Sequence, residues 1–238
     1  MSKKKGLSTK SIVAIVLVAV LCISVAAVVY AAEVSNKSSS NKLVVPGIQV
    51  GDTFYYNITG ESILFTAGSD PDAEYPGFTD LNNTNYYEVT VTGINGSVVS
   101  LDTDWVFDNG TSVPQTQTID VANGQLGDST GFWGLYAPNL NVGNKLCPDG
   151  GDNGITVNAT DTRTYTDSTR ARNYWTLQTL FYNVNDPTDS TQQNNFIGVY
   201  FDKTTGIMIT MTNVQEYNNP QMNLIITWQL TNSSEWVV

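Results

Sequence analysis

Met222-Asn223-Leu224-Ile225-Ile226-Thr227-Trp228-Gln229-Leu230-Thr231 is the stretch that decides the fold. Its large apolar residues Met222, Leu224, Ile226, Trp228 and Leu230 fall two apart, so an extended chain sets all five on one face. A helix would scatter them. The same period of two runs back to Val50 and predicts strands over 53–59, 62–67, 86–94, 97–107, 112–121, 155–165, 169–184, 197–201, 207–212 and 222–231. A short helix is expected at most over residues 131–140. Alternation with one polar face means antiparallel sheet, half covered by core, so the expected class is mainly β.

Turn chemistry sets the expected registers. A two-residue Asn95-Gly96 loop would pair Val89 with Asp102 and mix the faces of the 86–107 hairpin. A three-residue Ile94-Asn95-Gly96 loop, with Gly96 left-handed, pairs Val91 with Val99, Val89 with Leu101 and Glu88 with Asp102. The bulged loop is therefore expected. Asp202-Lys203-Thr204-Thr205-Gly206 reads as a second turn, with Gly206 supplying positive φ.

Upstream of the strands lie 22 consecutive uncharged residues, Ser11 to Ala32, preceded by Lys3, Lys4, Lys5 and Lys10. As a helix this stretch spans roughly 30 Å, a bilayer core. The lysines on its N-terminal side keep that end in the cytoplasm, so the rest is expected to be exported. Cleavage after Ala31 would make it a signal peptide and the product secreted; its length favours a retained anchor on the extracellular face of the cytoplasmic membrane. The expected organisation is lysines plus anchor or signal peptide over 1–32, a polar flexible tether over 33–46, and an exported β domain over 47–238.

Four of the 11 basic residues precede Glu33 and none of the 22 acidic ones do, which leaves 7 against 22 and a net charge of −15. That surface repels nucleic acid and anionic lipid and attracts divalent cations. The chain has no His, which excludes His-based triads, the HExxH zinc motif and an imidazole base. Cys22 lies in the leader and Cys147 is the one cysteine beyond it, so no intramolecular disulfide forms in the exported part. Seven Asn-x-Ser/Thr sequons, at Asn36, Asn57, Asn82, Asn95, Asn109, Asn158 and Asn232, are glycosylation candidates.

Several motifs carry a resemblance. Val50-Gly51-Asp52 precedes an aromatic strand, Gly93-Ile94-Asn95-Gly96-Ser97-Val98-Val99-Ser100-Leu101 forms a hairpin, and Ala137-Pro138-Asn139-Leu140-Asn141-Val142-Gly143 follows. Asp202-Lys203-Thr204-Thr205-Gly206-Ile207 and Trp228-Gln229-Leu230-Thr231-Asn232 complete the set. Together they resemble archaeal membrane-anchored surface proteins whose fold is similar to the LolA/LppX-like lipoprotein carriers. The resemblance implies a curved antiparallel sheet or incomplete barrel that holds acyl chains in its concave face. The lipobox of those carriers is missing, since Leu21 precedes Cys22. Lys4-Lys5-Gly6-Leu7-Ser8-Thr9 also resembles the class III leader of archaeal pilins, cut after Gly, although the polar run Ser35 to Lys42 interrupts any stalk helix.

Four groups are candidate sites. Glu88, Asp102 and Asp104 share one hairpin face; calcium suits such hard oxygen ligands, a solvated acidic face is the alternative, and a glycosidase pair is a third reading. Asp149 and Asp152 sit in the Gly-rich loop 148–154, read as a calcium loop or a plain turn, and the 68–84 loop adds Asp70, Asp72, Glu74 and Asp80. Arg163, Arg170 and Arg172, on two adjacent strands, are candidates for an anionic headgroup or for offsetting acids across strands. Phe132, Trp133, Tyr136, Trp175 and Trp228 are ligand-lining candidates if the sheet is curved, and core otherwise.

The expected function is that of a non-enzymatic cell-surface or secreted envelope protein with a structural or adhesive role. The alternatives are a carrier or binding module for a lipid, glycan or other amphiphile, and a pilus-type filament subunit. No cofactor is expected, calcium being the candidate ion. The expected partners are the membrane through the N-terminal helix, other envelope proteins, and further copies of the chain, with no nucleic acid.

Overall fold

The computed structural model describes residues 44–65, 75–127, 131–151, 154–181, 192–218 and 221–238. The expected N-terminal helix, the tether up to residue 43, Asn36 and Asp152 lie outside them, as do Asp70, Asp72 and Glu74. Nine strands form one antiparallel sheet: β1 (Thr53–Leu64), β2 (Thr84–Asn95), β3 (Val98–Phe107), β4 (Ser112–Asp120), β5 (Ala159–Thr164), β6 (Thr169–Leu180), β7 (Gln192–Asp202), β8 (Met208–Asn218) and β9 (Gln221–Ser233). Their order is β4-β3-β2-β1-β9-β8-β7-β6-β5, and the sheet stays open because β4 and β5 end it on opposite sides. Among the described residues the fold is mainly β, with almost no helix.

Period-two alternation sorts the faces as the sequence implies. Phe54, Tyr56 and Ile58 of β1, Val89 and Val91 of β2, Val99 and Leu101 of β3, Ile197, Val199 and Phe201 of β7, and Leu224 and Leu230 of β9 are buried on the inner face. Residues 121–158 fold across that face and add Phe132, Leu135, Tyr136, Leu140, Leu146, Cys147 and Val157 to the core.

Several local expectations are corrected. Residues 131–140 are irregular, not helical: Gly131 has φ 134°, Leu135 makes a single antiparallel bridge to Ile207, and a turn at residues 138–139 sets Asn139 at φ 58°. The backbone of this segment finds its partners outside itself, with Tyr136 N donating to Gly206 O at 2.9 Å and Met208 N to Gly134 O at 2.7 Å. The break expected between 59 and 62 is absent: β1 runs unbroken over Thr53–Leu64, because Gly60 does not interrupt it. Beyond Tyr56 the neighbouring strand β2 has turned away, and the edge is met by a helical turn, Pro76–Phe78 followed by Thr79–Asn82, where a loop was expected. Gly60 N donates to Asn82 Oδ1 at 2.7 Å, and a Cβ on Gly60 would lie 2.4 Å from the Phe78 ring.

The β2–β3 hairpin register is also corrected. Its loop is the two residues Gly96-Ser97, with Asn95 opposite Val98. Gly96 alone of the pair has positive φ, 62°, which is the type II′ arrangement that matches strand twist. A bulge at Thr92 then returns Val91 opposite Leu101 and Val89 opposite Thr103, so the apolar residues share the inner face after all. Glu88 stands opposite Asp104, not Asp102.

β7 and β8 run longer than the apolar pattern indicates because polar residues occupy inner positions. Asn195, Asn213 and Gln215 are buried, and they satisfy one another. Asn213 Nδ2 donates to Asn195 Oδ1 at 2.6 Å, Gln215 Nε2 to Asn213 Oδ1 at 2.8 Å, and Tyr217 Oη to Gln215 Oε1 at 3.0 Å. A closed row of this kind avoids the cost of unpaired buried amides.

Candidate functional site

The acidic candidates lie on the outer face of β2 and β3. The shift between expected and observed register is close to two residues, an even step, so Glu88, Asp102 and Asp104 still share that face. Together with Thr90, Thr103, Pro114, Gln115 and Thr116 they line an open depression of 460 Å³. Tyr55 Oη donates to Glu88 Oε1 at 2.9 Å, and this bond pushes the Tyr55 pKa up. Asp104 Oδ1 is buried with no hydrogen-bond partner among the described residues.

A single oxygen left over does not make a cation site. Among the described residues no three acidic or cysteine side chains converge to hold a metal. Asp102 is opposite Thr90 and two residues from Asp104, about 7 Å along the strand. Asp149 is exposed in its turn, and its N donates to Ala122 O at 2.8 Å.

Two of the three arginines are committed to carboxylates. Arg170 donates from Nε and Nη2 to the two oxygens of Asp202, at 2.7 and 3.0 Å, and covers the Trp236 ring at 4.2 Å. Asp202 is fully buried, and its Oδ1 also accepts from Thr204 N, Thr205 N and Thr205 Oγ1. Arg172 makes the same forked contact with Asp161, at 2.6 and 2.9 Å, and covers Tyr200 at 4.2 Å. These bonds push both guanidinium pKa values up and hold the Asp161 carboxyl below its usual range. Arg163 covers Tyr165 at 5.5 Å and makes no ion pair among the described residues. The three therefore do not combine into an anion cradle.

The aromatic candidates belong mainly to the core. Phe132, Trp175 and Tyr136 are 1%, 3% and 7% exposed; Trp133 and Trp228 are half-buried. Phe132 meets Tyr56 at 5.4 Å and Trp228 at 6.4 Å between ring centroids, while Tyr136 meets Phe201 at 4.7 Å and Trp175 at 6.1 Å. Gln117 on β4 fastens this segment: its Nε2 donates to Phe132 O, and Phe132 N returns a bond to its Oε1 at 2.8 Å. Burial pushes the Tyr56 and Tyr136 hydroxyl pKa values well up, as in a dry interior.

Six sequon asparagines fall in the described residues. Asn57, Asn82, Asn95, Asn109, Asn158 and Asn232 are all exposed. At Asn109 the sequon is already folded on itself, since Thr111 N and Thr111 Oγ1 both donate to Asn109 Oδ1, at 2.9 and 2.7 Å.

Sequence reading missed two groups. One is the Asp202 cluster. The other is Glu235 beside Asp52, where partial burial and the second carboxylate push the Glu235 pKa up. Asp52 closes the Gln49–Asp52 turn by accepting from Gln49 N at 2.7 Å. The signal available for Asp202 was an acid at a strand end followed by Lys-Thr-Thr-Gly, the pattern of a side chain that caps its own turn. No family model matches the chain, and no curated protein matches it.

Proposed function

We propose that the chain is a non-enzymatic cell-surface protein, held by its N-terminal apolar helix, whose β domain acts outside the membrane as a structural or adhesive element. One observation carries this choice over the carrier reading. The inner face of the sheet is covered by described residues of the 121–158 segment, so Phe132 packs on Tyr56 and Trp228, and Tyr136 on Trp175 and Phe201, where a carrier would hold acyl chains. The exposure of all six described sequon asparagines supports an outer surface that carries glycans. The absence of His weighs against hydrolytic chemistry of the triad or zinc type.

Mass spectrometry of the natively purified full chain tests the proposal. The expected spectrum retains residues 1–32, carries glycan increments and shows no co-purified amphiphile. A stoichiometric lipid would restore the carrier reading; loss of the first six residues together with filaments would establish the pilus-type one.

A further inference from the structure

β5 is the terminal strand of the sheet, six residues long, Ala159-Thr160-Asp161-Thr162-Arg163-Thr164, and every one of them is exposed. Its hydrogen-bond phase follows from the turn. Tyr165 N donates to Ser168 O at 2.7 Å, so 165 and 168 form a bonded pair. Alternation along the ladder then makes Arg163–Arg170, Asp161–Arg172 and Ala159–Tyr174 the bonded pairs with β6. The other side of β6 agrees, since Ala171 O accepts from Lys203 N, away from β5. The backbone N–H and C=O groups of Thr160, Thr162 and Thr164 therefore point off the sheet, and none has a backbone partner among the described residues.

An open edge of this kind is a template for another strand. The opposite edge is guarded: Pro114 removes a donor from β4, and Gly127 N and Gln125 O occupy Thr118 O and Asp120 N. Apart from the start of the strand, where Asn158 N as well as Ala159 meets Tyr174, no proline or covering segment among the described residues protects β5 in the same way.

We infer that β5 pairs antiparallel with β5 of a second copy about a two-fold axis through Thr162. The sequence Thr160-Asp161-Thr162-Arg163-Thr164 is complementary to itself in that register. Thr162 faces Thr162 of the other copy, and Thr160 faces Thr164, which uses the free backbone groups of all three in about six hydrogen bonds. Asp161 then lies opposite Arg163 of the other copy, twice, at the closer non-bonded positions of the ladder. Arg163 brings a charge without an ion pair among the described residues, and Asp161, 48% exposed beside Arg172, has an open side to receive it. Because the β4 edge is guarded, the pairing is isologous and closes as a dimer with no onward growth. The inference holds wherever the domain resides, so it stands apart from the proposed function.

Disulfide trapping of the full chain in detergent solution tests it, with Cys22→Ser in every variant and Cys147 left in place, where it is buried. Thr162→Cys sits on the axis, with Cα atoms about 5.5 Å apart across the pair, within disulfide reach. Thr160→Cys sits about 14 Å from its own copy. We expect Thr162→Cys to be trapped as a dimer and Thr160→Cys to stay at the rate of the Cys22→Ser parent. Adding Arg163→Glu to Thr162→Cys turns two attractive pairs into repulsive ones and slows trapping about tenfold. Equal trapping of the two cysteine variants, or no effect of Arg163→Glu in a chain with unchanged thermal unfolding, would overturn the inference.

Discussion

Asp202 shows how a single buried charge organises its neighbourhood. It has no exposed surface, yet both its oxygens are used, by the Arg170 fork and by three donors from Thr204 and Thr205. Removing one member of such a set strands the others. Asp202→Ala is expected to lower stability by about 3–5 kcal/mol, read from the urea midpoint, since it leaves a partly buried guanidinium unpaired. Glu235 works in the opposite sense. Its folded-state pKa is raised, so the stability it contributes is present below the ordinary glutamate value, about 4.3, and is lost as pH rises through the folded value. Glu235→Gln is therefore expected to raise Tm at pH 7 and leave it unchanged at pH 3.5, measured by thermal unfolding at both. Neither long-range partnership was legible in the sequence, because Arg170 is 32 residues from Asp202 and Asp52 lies in another turn.

At the scale of the element, two glycines with similar φ have different roles. Gly206 closes the β7–β8 turn at φ 80° and lies against the 131–140 segment, where a Cβ would meet Tyr136 O at 2.0 Å. Gly143 has φ 84° with nothing within 4 Å. Gly143→Ala should cost only the left-handed backbone penalty, about 1–2 kcal/mol, and Gly206→Ala more than about twice that, because the Leu135–Ile207 bridge must also move. Denaturant unfolding of the two variants checks the contrast. The β2–β3 hairpin teaches a related lesson. That the apolar residues of both strands must share a face was legible; the means was not. A tight Gly96-Ser97 turn with a bulge at Thr92 and a three-residue loop without one both keep Val89 and Val91 inward.

For the whole molecule, the decisive fact is what covers the inner face. Were that face an amphiphile cavity, truncating an aromatic there would enlarge it at little cost to stability. With residues 121–158 packed on it, Phe132→Ala is expected to cost about 3–5 kcal/mol, read from chemical denaturation, and to lower Tm without changing the secondary structure. The segment was hard to read as sequence. Its apolar residues, Phe132, Leu135, Tyr136 and Leu140, fall at helical spacing, and its true partners are Gln117, Gly206 and Asn173, each far away along the chain. The buried amides of β7 and β8 hid strand length for a similar reason, since polar side chains at inner positions break the apolar alternation that marks a strand.

What the sequence determined by itself was the class and the sides: mainly β, antiparallel, with apolar faces turned one way, because side-chain direction in a strand depends only on parity along the chain. Local composition likewise sets the uncharged run over 11–32 and the lack of imidazole chemistry. The tertiary structure decided everything that depends on which strand lies beside which. That includes the strand order, the hairpin register, the commitment of Arg170 and Arg172 to Asp202 and Asp161, the packing of 121–158 on the sheet, and the open edge at β5. Each of these is a pairing of distant residues, chosen by packing and hydrogen-bond satisfaction across the whole sheet, and no local pattern encodes it.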